Sequence, residues 1–406
     1  MANQPSPLPP VLAFSFLNSL GTGVVTNGVF FLFRHAYGFG DQTNYLVGIV
    51  FGATYVVAAL GVGPAARRAV RAYPWLTSRL LLGTTSAALG VTCMIPCAAE
   101  MLGIWSTWPA WILAVVYAVL TGVLWPLTES YVSGGRSGTA LRSAIGRFNI
   151  SWASALVIAF WAMAPVLEGR PLALIAALGA VHFGSVVLLL SFGREPGARL
   201  PEDHEPHPPV YRDLLVVCRL LLPASYIALS ALNPFLPGAL QRLGVAVAWQ
   251  TPLAATWMLS RLVTFTALER THAWHGRWSA VTAGLVLLVV GFATVIAAPG
   301  RGSAALMAAG LAVTGVGMGI VYASALYYAM EVGRAEVAAG GMHEALIGMG
   351  YTAGPACMLL ASALVPTTSK AFEPTVLGIV GVIGVGLAAK AAWNIRRAHQ
   401  VREPAG

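Results

Sequence analysis

The sequence predicts an all-α polytopic membrane protein: twelve transmembrane helices in two pseudo-symmetric six-helix bundles. Three observations carry this. Of 406 residues, 57% are hydrophobic and only 10% charged, whereas a soluble domain carries about a quarter charged residues. Apolar runs near twenty residues recur, each long enough to cross about 30 Å of hydrocarbon. Related short stretches also recur in the same order in the two halves, as in chains built from internal repeats.

The spans fall at roughly 10–33, 43–65, 75–97, 106–130, 140–166, 171–193, 213–238, 246–268, 278–299, 303–330, 339–364 and 373–395. "MANQPSPLPP" at the start has no basic segment, and a long apolar run follows it. That reads as a first membrane helix and not a cleaved signal. The mid-chain stretch "GREPGARLPEDHEPHPPVYRD" (Gly193 to Asp213) is rich in Pro, charge and His. It reads as a flexible linker, its histidines as solvated loop residues. The expected domains are 1–192, a linker over 193–212, and 213–406 with a cytoplasmic tail.

The formal net charge is +9, and its placement sets orientation. Arg67, Arg68, Arg71, Arg79, Arg136, Arg142, Arg194, Arg199, Arg212, Arg270, Arg277, Arg334, Arg396, Arg397 and Arg402 fall in one set of loops and ends. The other set holds only Arg34, Arg170, Arg242, Arg301 and Lys370. The richer side is expected to be cytoplasmic, with both termini and the linker, in an inner (plasma) membrane. No basic stripe interleaved with aromatics points to nucleic acid. Cys93, Cys97, Cys218 and Cys357 all lie in apolar runs and read as small buried residues.

The repeats pair "TNGVF" (Thr26 to Phe30) with "LNPFL" (Leu232 to Leu236), "WPLTESYVSGG" (Trp125 to Gly135) with "LYYAMEVG" (Leu326 to Gly333), and "GRFN" (Gly146 to Asn149) with "GMHE" (Gly341 to Glu344). With this layout, and with the polar stretches "GRFNISW" and "GGMHEALIGMG", the chain resembles the prokaryotic major facilitator superfamily over its whole length. The resemblance implies alternating access, in which two bundles rock around a central site. It departs in the loop after span two. There the family reads Gly, three residues, Asp and then basic residues around a Gly; "GPAARRAVR" (Gly63 to Arg71) has the arginines and no Asp.

Ionisable groups inside spans are rare without a reason. Arg147, Glu129, Glu331, His343 and Glu344 are the candidates for a gate or proton coupling. Glu129 and Glu331 lie at span ends followed by arginines, and read as interfacial latches. Asn149 and Trp152 are three residues apart on one helical face; they either line the cavity or bond a neighbouring helix. Arg219 and Arg261 lie inside spans seven and eight and cannot lose their charge. Each either holds an anionic solute group or pairs with Glu344 or Glu331, and Arg261 lies deeper. Asn18, Asn27, Tyr226, Asn233 and Tyr327 are further cavity candidates. His343 and Glu344 are adjacent and diverge by about 100° on a helix; either Glu344 carries a proton with His343 assisting, or both latch a gate.

"GVGMG" (Gly315 to Gly319) sits inside an apolar helix and reads as a packing feature, not a phosphate loop. Neither a catalytic triad nor a metal-ligand cluster is visible, so no cofactor and no metal is expected. The expected function is secondary active transport of a small-molecule substrate by a monomer in the lipid bilayer, with protons as the candidate coupling ion. A transporter-like solute receptor and, further off, a polytopic membrane enzyme are the alternatives.

Overall fold

The computed structural model describes residues 5–73, 75–136, 138–197, 208–271, 273–332 and 337–400. Every regular element among them is helical. The first span is composite: α1 (Leu8–Gly21), a π-helical turn (Thr22–Asn27) and α2 (Val29–Tyr37). In that turn the Gly28 amide donates to the Gly23 carbonyl at 2.9 Å, a wide i→i+5 bond of the kind found at functional sites. The first bundle continues with α3 (Asp41–Ala72), α4 (Ser78–Met101), α5 (Trp108–Ser133), α6 (Gly138–Met163) and α7 (Pro171–Ser185). The second holds α8 (Val210–Arg242), α9 (Val247–Ala254), α10 (Thr256–Arg270), α11 (Trp278–Ala297), α12 (Ala304–Val332), α13 (Val337–Leu364) and α14 (Phe372–Gln400).

Among the described residues, eleven helices are long and apolar enough to cross a membrane. The remaining expected span, 246–268, is divided at Ala255 into α9 and α10. Pro252 just before the break has no amide hydrogen to give the helix. The sequence-based end of span two is also corrected: α3 runs on to Ala72, so the Arg68 and Arg71 segment is helix and not loop. Of the linker, 198–207 lies outside the described residues, as do Arg199, Arg334, Arg402 and the side chain of Arg67.

The bundles meet along α3 with α13 and along α6 with α10. The α3–α13 seam is built from small residues, which let membrane helices approach closely. A Cβ on Gly48 would lie 2.6 Å from Pro355 Cγ, and one on Gly348 would lie 2.8 Å from Val56 Cγ2. A Cβ on Gly341 would lie 2.7 Å from the Ala59 carbonyl oxygen.

The two ends of the molecule differ. At the linker end, Arg136 donates to the Ser6 carbonyl at 2.5 Å and to the Tyr131 and Val132 carbonyls at 3.0 and 2.9 Å. Tyr131 bonds the Gly193 carbonyl at 3.0 Å. These contacts stay within the first bundle and the start of the linker. At the other end, here the Asp41 end, the bonds cross between bundles. Asp41 pairs with Arg34 at 2.8 Å on its own bundle and with Arg242 of α8 at 3.0 Å. Arg34 also donates to Gln241 Oε1 at 3.0 and 2.7 Å. One layer deeper, Asn233 Nδ2 donates to Asn27 Oδ1 at 2.9 Å. Trp161 meets Trp249 edge-on at 6.2 Å.

Candidate functional site

Between the bundles lies a cavity of about 60 Å³. Its polar wall is Tyr55 of α3, Glu129 of α5, Tyr226 of α8, Tyr322 of α12, and Glu344 and Tyr351 of α13. Six residues from five helices and both bundles thus converge. Each side chain sits on a long apolar helix, so only packing against the other bundle keeps its polar tip out of lipid.

The cavity has an acidic pole. Glu344 is 6% exposed and accepts a hydrogen bond from the Tyr55 hydroxyl across the α3–α13 seam. A carboxylate oxygen of Glu129 lies within 4.8 Å of one of Glu344, near enough for the two carboxyls to compete for one proton. One nitrogen of His343 lies within 4.8 Å of an oxygen of each. This trio has the donor types that hold a cation. No spacing could have announced it, because Glu129 is over two hundred residues from the other two.

Behind the cavity's aromatic wall, and not itself lining the cavity, stands a basic pole, Arg261, 1% exposed. Its guanidinium carbon lies 4.6 Å from the Tyr322 ring centroid, 4.8 Å from Trp152, 5.2 Å from Phe265 and 5.6 Å from Tyr226. Cation–π contacts of this kind stabilise a desolvated cation by about 2 kcal/mol. Among the described residues its one hydrogen bond goes to the Tyr226 hydroxyl at 3.3 Å. The Arg261 Nε is buried and has no partner. Aromatic contacts link the poles: Tyr226 to Tyr351 and Tyr351 to Tyr55, each at 5.6 Å, on one side, and Tyr322 to His343 at 5.6 Å on the other.

Toward the linker end a second space, a vestibule of about 430 Å³, is lined by Arg142, Asn149, Phe265, Glu269, His275 and Tyr327 among others. His275 stacks on Tyr327 at 4.0 Å. The Trp152 indole donates to Asn149 Oδ1 at 3.1 Å. Trp152 lines the central cavity and Asn149 the vestibule, so this pair forms the partition between them.

The other sequence-based candidates fall elsewhere. Asn18 turns into the first bundle, where it bonds His182 Nδ1 at 2.8 Å and Ser185 at 3.1 Å. Asn27 and Asn233 bond each other. Arg219 is exposed on α8, and Arg147 is exposed in an outer groove beside Phe16, Leu17 and Leu188. Neither arginine lines the central cavity. The side chain of Glu331 lies outside the described residues. Glu344 takes Tyr55 as its hydrogen-bond partner and has Glu129 beside it; of the two alternatives for the arginines, a pair with Glu344 is not the arrangement here. Sequence reasoning missed Tyr55, Tyr322, Tyr351 and Asp41. The three tyrosines had a signal, being polar-tipped rings inside apolar runs.

No protein-family model and no curated protein matches the chain. Solved structures do. The nucleoside transporter NupG aligns over 95% of this chain and 98% of its own, with 14% identity and a TM-score of 0.64. A bacterial homologue of the human lysosomal transporter Spinster, solved inward-facing and unoccupied, aligns over 98% of both chains with 14% identity and a TM-score of 0.66. The human organic anion transporter MFSD10 aligns over 94% of this chain and 98% of its own, with 14% identity and a TM-score of 0.63. The chain has the major facilitator fold. In a major facilitator fold the central cavity lies between the bundles, where Arg261 and the Glu129–Glu344 pair stand.

Proposed function

We propose that this protein is a secondary active transporter that moves a small solute by alternating access. The observation that carries the reading is the cavity between the bundles, with Glu129 and Glu344 on its wall and Arg261 caged behind its rings, latched by cross-bundle bonds at the Asp41 end and adjoined by the vestibule at the linker end. A site in that position is exposed to one side at a time when the bundles rock. The arginine bias supports a cytoplasmic linker end, and with that orientation the geometry reads as an inward-facing state. The Glu129–Glu344 pair is the proton-coupling group: the proton its carboxyls compete for can be added or removed as the cavity changes access.

Counterflow in proteoliposomes tests this. A thermal-shift screen of small metabolite classes supplies a binder, and labelled binder should then accumulate in vesicles preloaded with unlabelled binder. A solute that stabilises the protein and shows no counterflow identifies a receptor instead. Protease added from the cytoplasmic side should cut within 193–212 and leave two membrane-bound halves; cutting only from outside would reverse the orientation.

A further inference from the structure

Arg261 is a permanent cation in the interior of a membrane protein, and its ledger of partners does not balance. A guanidinium carries five N–H donors in a planar fork. Here one donor reaches one neutral oxygen, at 3.3 Å. Among the described residues no carboxylate pairs with it; Glu344 takes the Tyr55 hydroxyl, and Glu129 stands within 4.8 Å of Glu344. The aromatic faces stabilise the charge but accept none of its in-plane hydrogens. Nε remains unpartnered at a side chain that is 1% exposed. Buried charges are otherwise paired and hydrogen-bonded.

Its position is equally specific. Phe265, one ring of its cage, lines the vestibule. Trp152, Tyr226 and Tyr322, the others, line the central cavity. The cation therefore stands behind the ring wall common to both spaces. Rotation of Trp152, held by its bond to Asn149, would open the fork to either space. A ligand arriving in the central cavity meets aromatic faces on several sides and the Glu129 and Glu344 carboxyls on the same wall.

We propose that the solute is an organic monoanion: one carboxylate, or a group of like shape and charge, on a flat apolar body, with Arg261 holding the anion. A planar oxyanion fits the guanidinium fork in bidentate fashion. The rings favour a flat body by stacking. The Glu129 and Glu344 carboxyls on the cavity wall repel a second negative charge, which disfavours dianions. The inference rests on the transport reading only in treating the ligand as cargo.

The test is binding to the purified full-length protein in detergent, read by titration calorimetry and by quenching of tryptophan fluorescence. The probes are benzoate and 1-naphthoate, their neutral amides, and terephthalate as the dianion. At least one acid should bind more than about tenfold more tightly than its amide, and terephthalate should bind more weakly than benzoate. Arg261→Gln should erase the preference for acid over amide. Equal binding of acid and amide overturns the proposal, as does a preference that survives in Arg261→Gln or the failure of both acids to bind by about 10 mM. If that variant does not accumulate in the membrane, the acid-to-amide ratio of the parent protein decides alone. Arg261-dependent acid binding without counterflow sinks the transporter and leaves the anion site. Counterflow of a neutral solute by the parent protein, with neither acid bound, does the reverse.

Discussion

Two of the buried polar clusters among the described residues are wired differently. The first lies inside the first bundle. His182 is 1% exposed; its Nδ1 donates to Asn18 Oδ1 at 2.8 Å and its Nε2 accepts from the Tyr117 hydroxyl at 3.2 Å. Asn18 donates to the Phe14 carbonyl and to Ser185, and Ser185 donates to the His182 carbonyl. Each ring nitrogen has a partner, and one neutral tautomer fits both. The second cluster surrounds Arg261, where a charged group is left short of acceptors. The closed network fixes three helices of one bundle to one another. The open one stands between bundles and offers unused donors. Satisfaction of hydrogen bonds, more than burial or polarity, separates architecture from a working site.

The largest effect should come from Arg261→Gln. Removing the charge should lower counterflow on the order of 100-fold, as expected when a desolvated charge contact is truncated. Thermal stability should hold or rise, because an underpaired buried charge is gone. A variant that transports normally would collapse the contrast between the clusters.

Next is Glu344→Gln, which leaves one carboxyl to take the proton and should lower proton-driven uptake by roughly tenfold. Parent uptake should fall as rising pH strips the proton from the pair; the variant should respond less. Glu129→Gln should behave the same way, because both carboxyls compete for one proton. A variant with the parent's pH profile would reduce the pair to a latch.

His182→Leu should act on the other cluster and only on stability. It strands Asn18 and Tyr117 without their partner, which costs about 2–3 kcal/mol. Denaturation midpoints should fall while solute affinity is retained. A change in affinity with unchanged stability would make the first cluster part of the site.

The smallest effect is that of Asp41→Asn, which weakens both partly exposed arginine pairs. Such pairs are worth about 1 kcal/mol or less, so the balance between states should shift by roughly fivefold. Spin labels at Trp161 and Trp249, exposed residues in contact across the bundles, should report a larger population of long distances.

The fold was legible because it depends on sums over many residues: apolar run length, loop charge and repeat order. Even the misplaced end of α3 follows from this, since length tells where hydrocarbon ends and not where a helix ends. Arg261 was legible as a charge far from any span end. Its cage was not, because Trp152, Tyr226, Phe265 and Tyr322 come from four helices and only packing gathers them. Arg219 carried the same sequence signal and lies on the outside of α8; one residue of helical rotation is about 100° and decides between cavity and surface. Asp41 looked like an ordinary first-turn acid, and its double pairing depends on Arg242, two hundred residues away.

The close-set α3–α13 seam has a mechanical meaning. Backbones in contact through glycine have almost no compressible side-chain layer between them, so the seam can turn but can hardly part. In the proposed alternating access it serves as the fulcrum, and the two ends of the molecule as the arms of a seesaw. Opening of the Asp41 arm would then shut the linker arm by an amount set by leverage, without any signal passing through the cavity. Thickening the pivot, as in Gly348→Leu, should therefore disturb both ends together, although neither end has been touched.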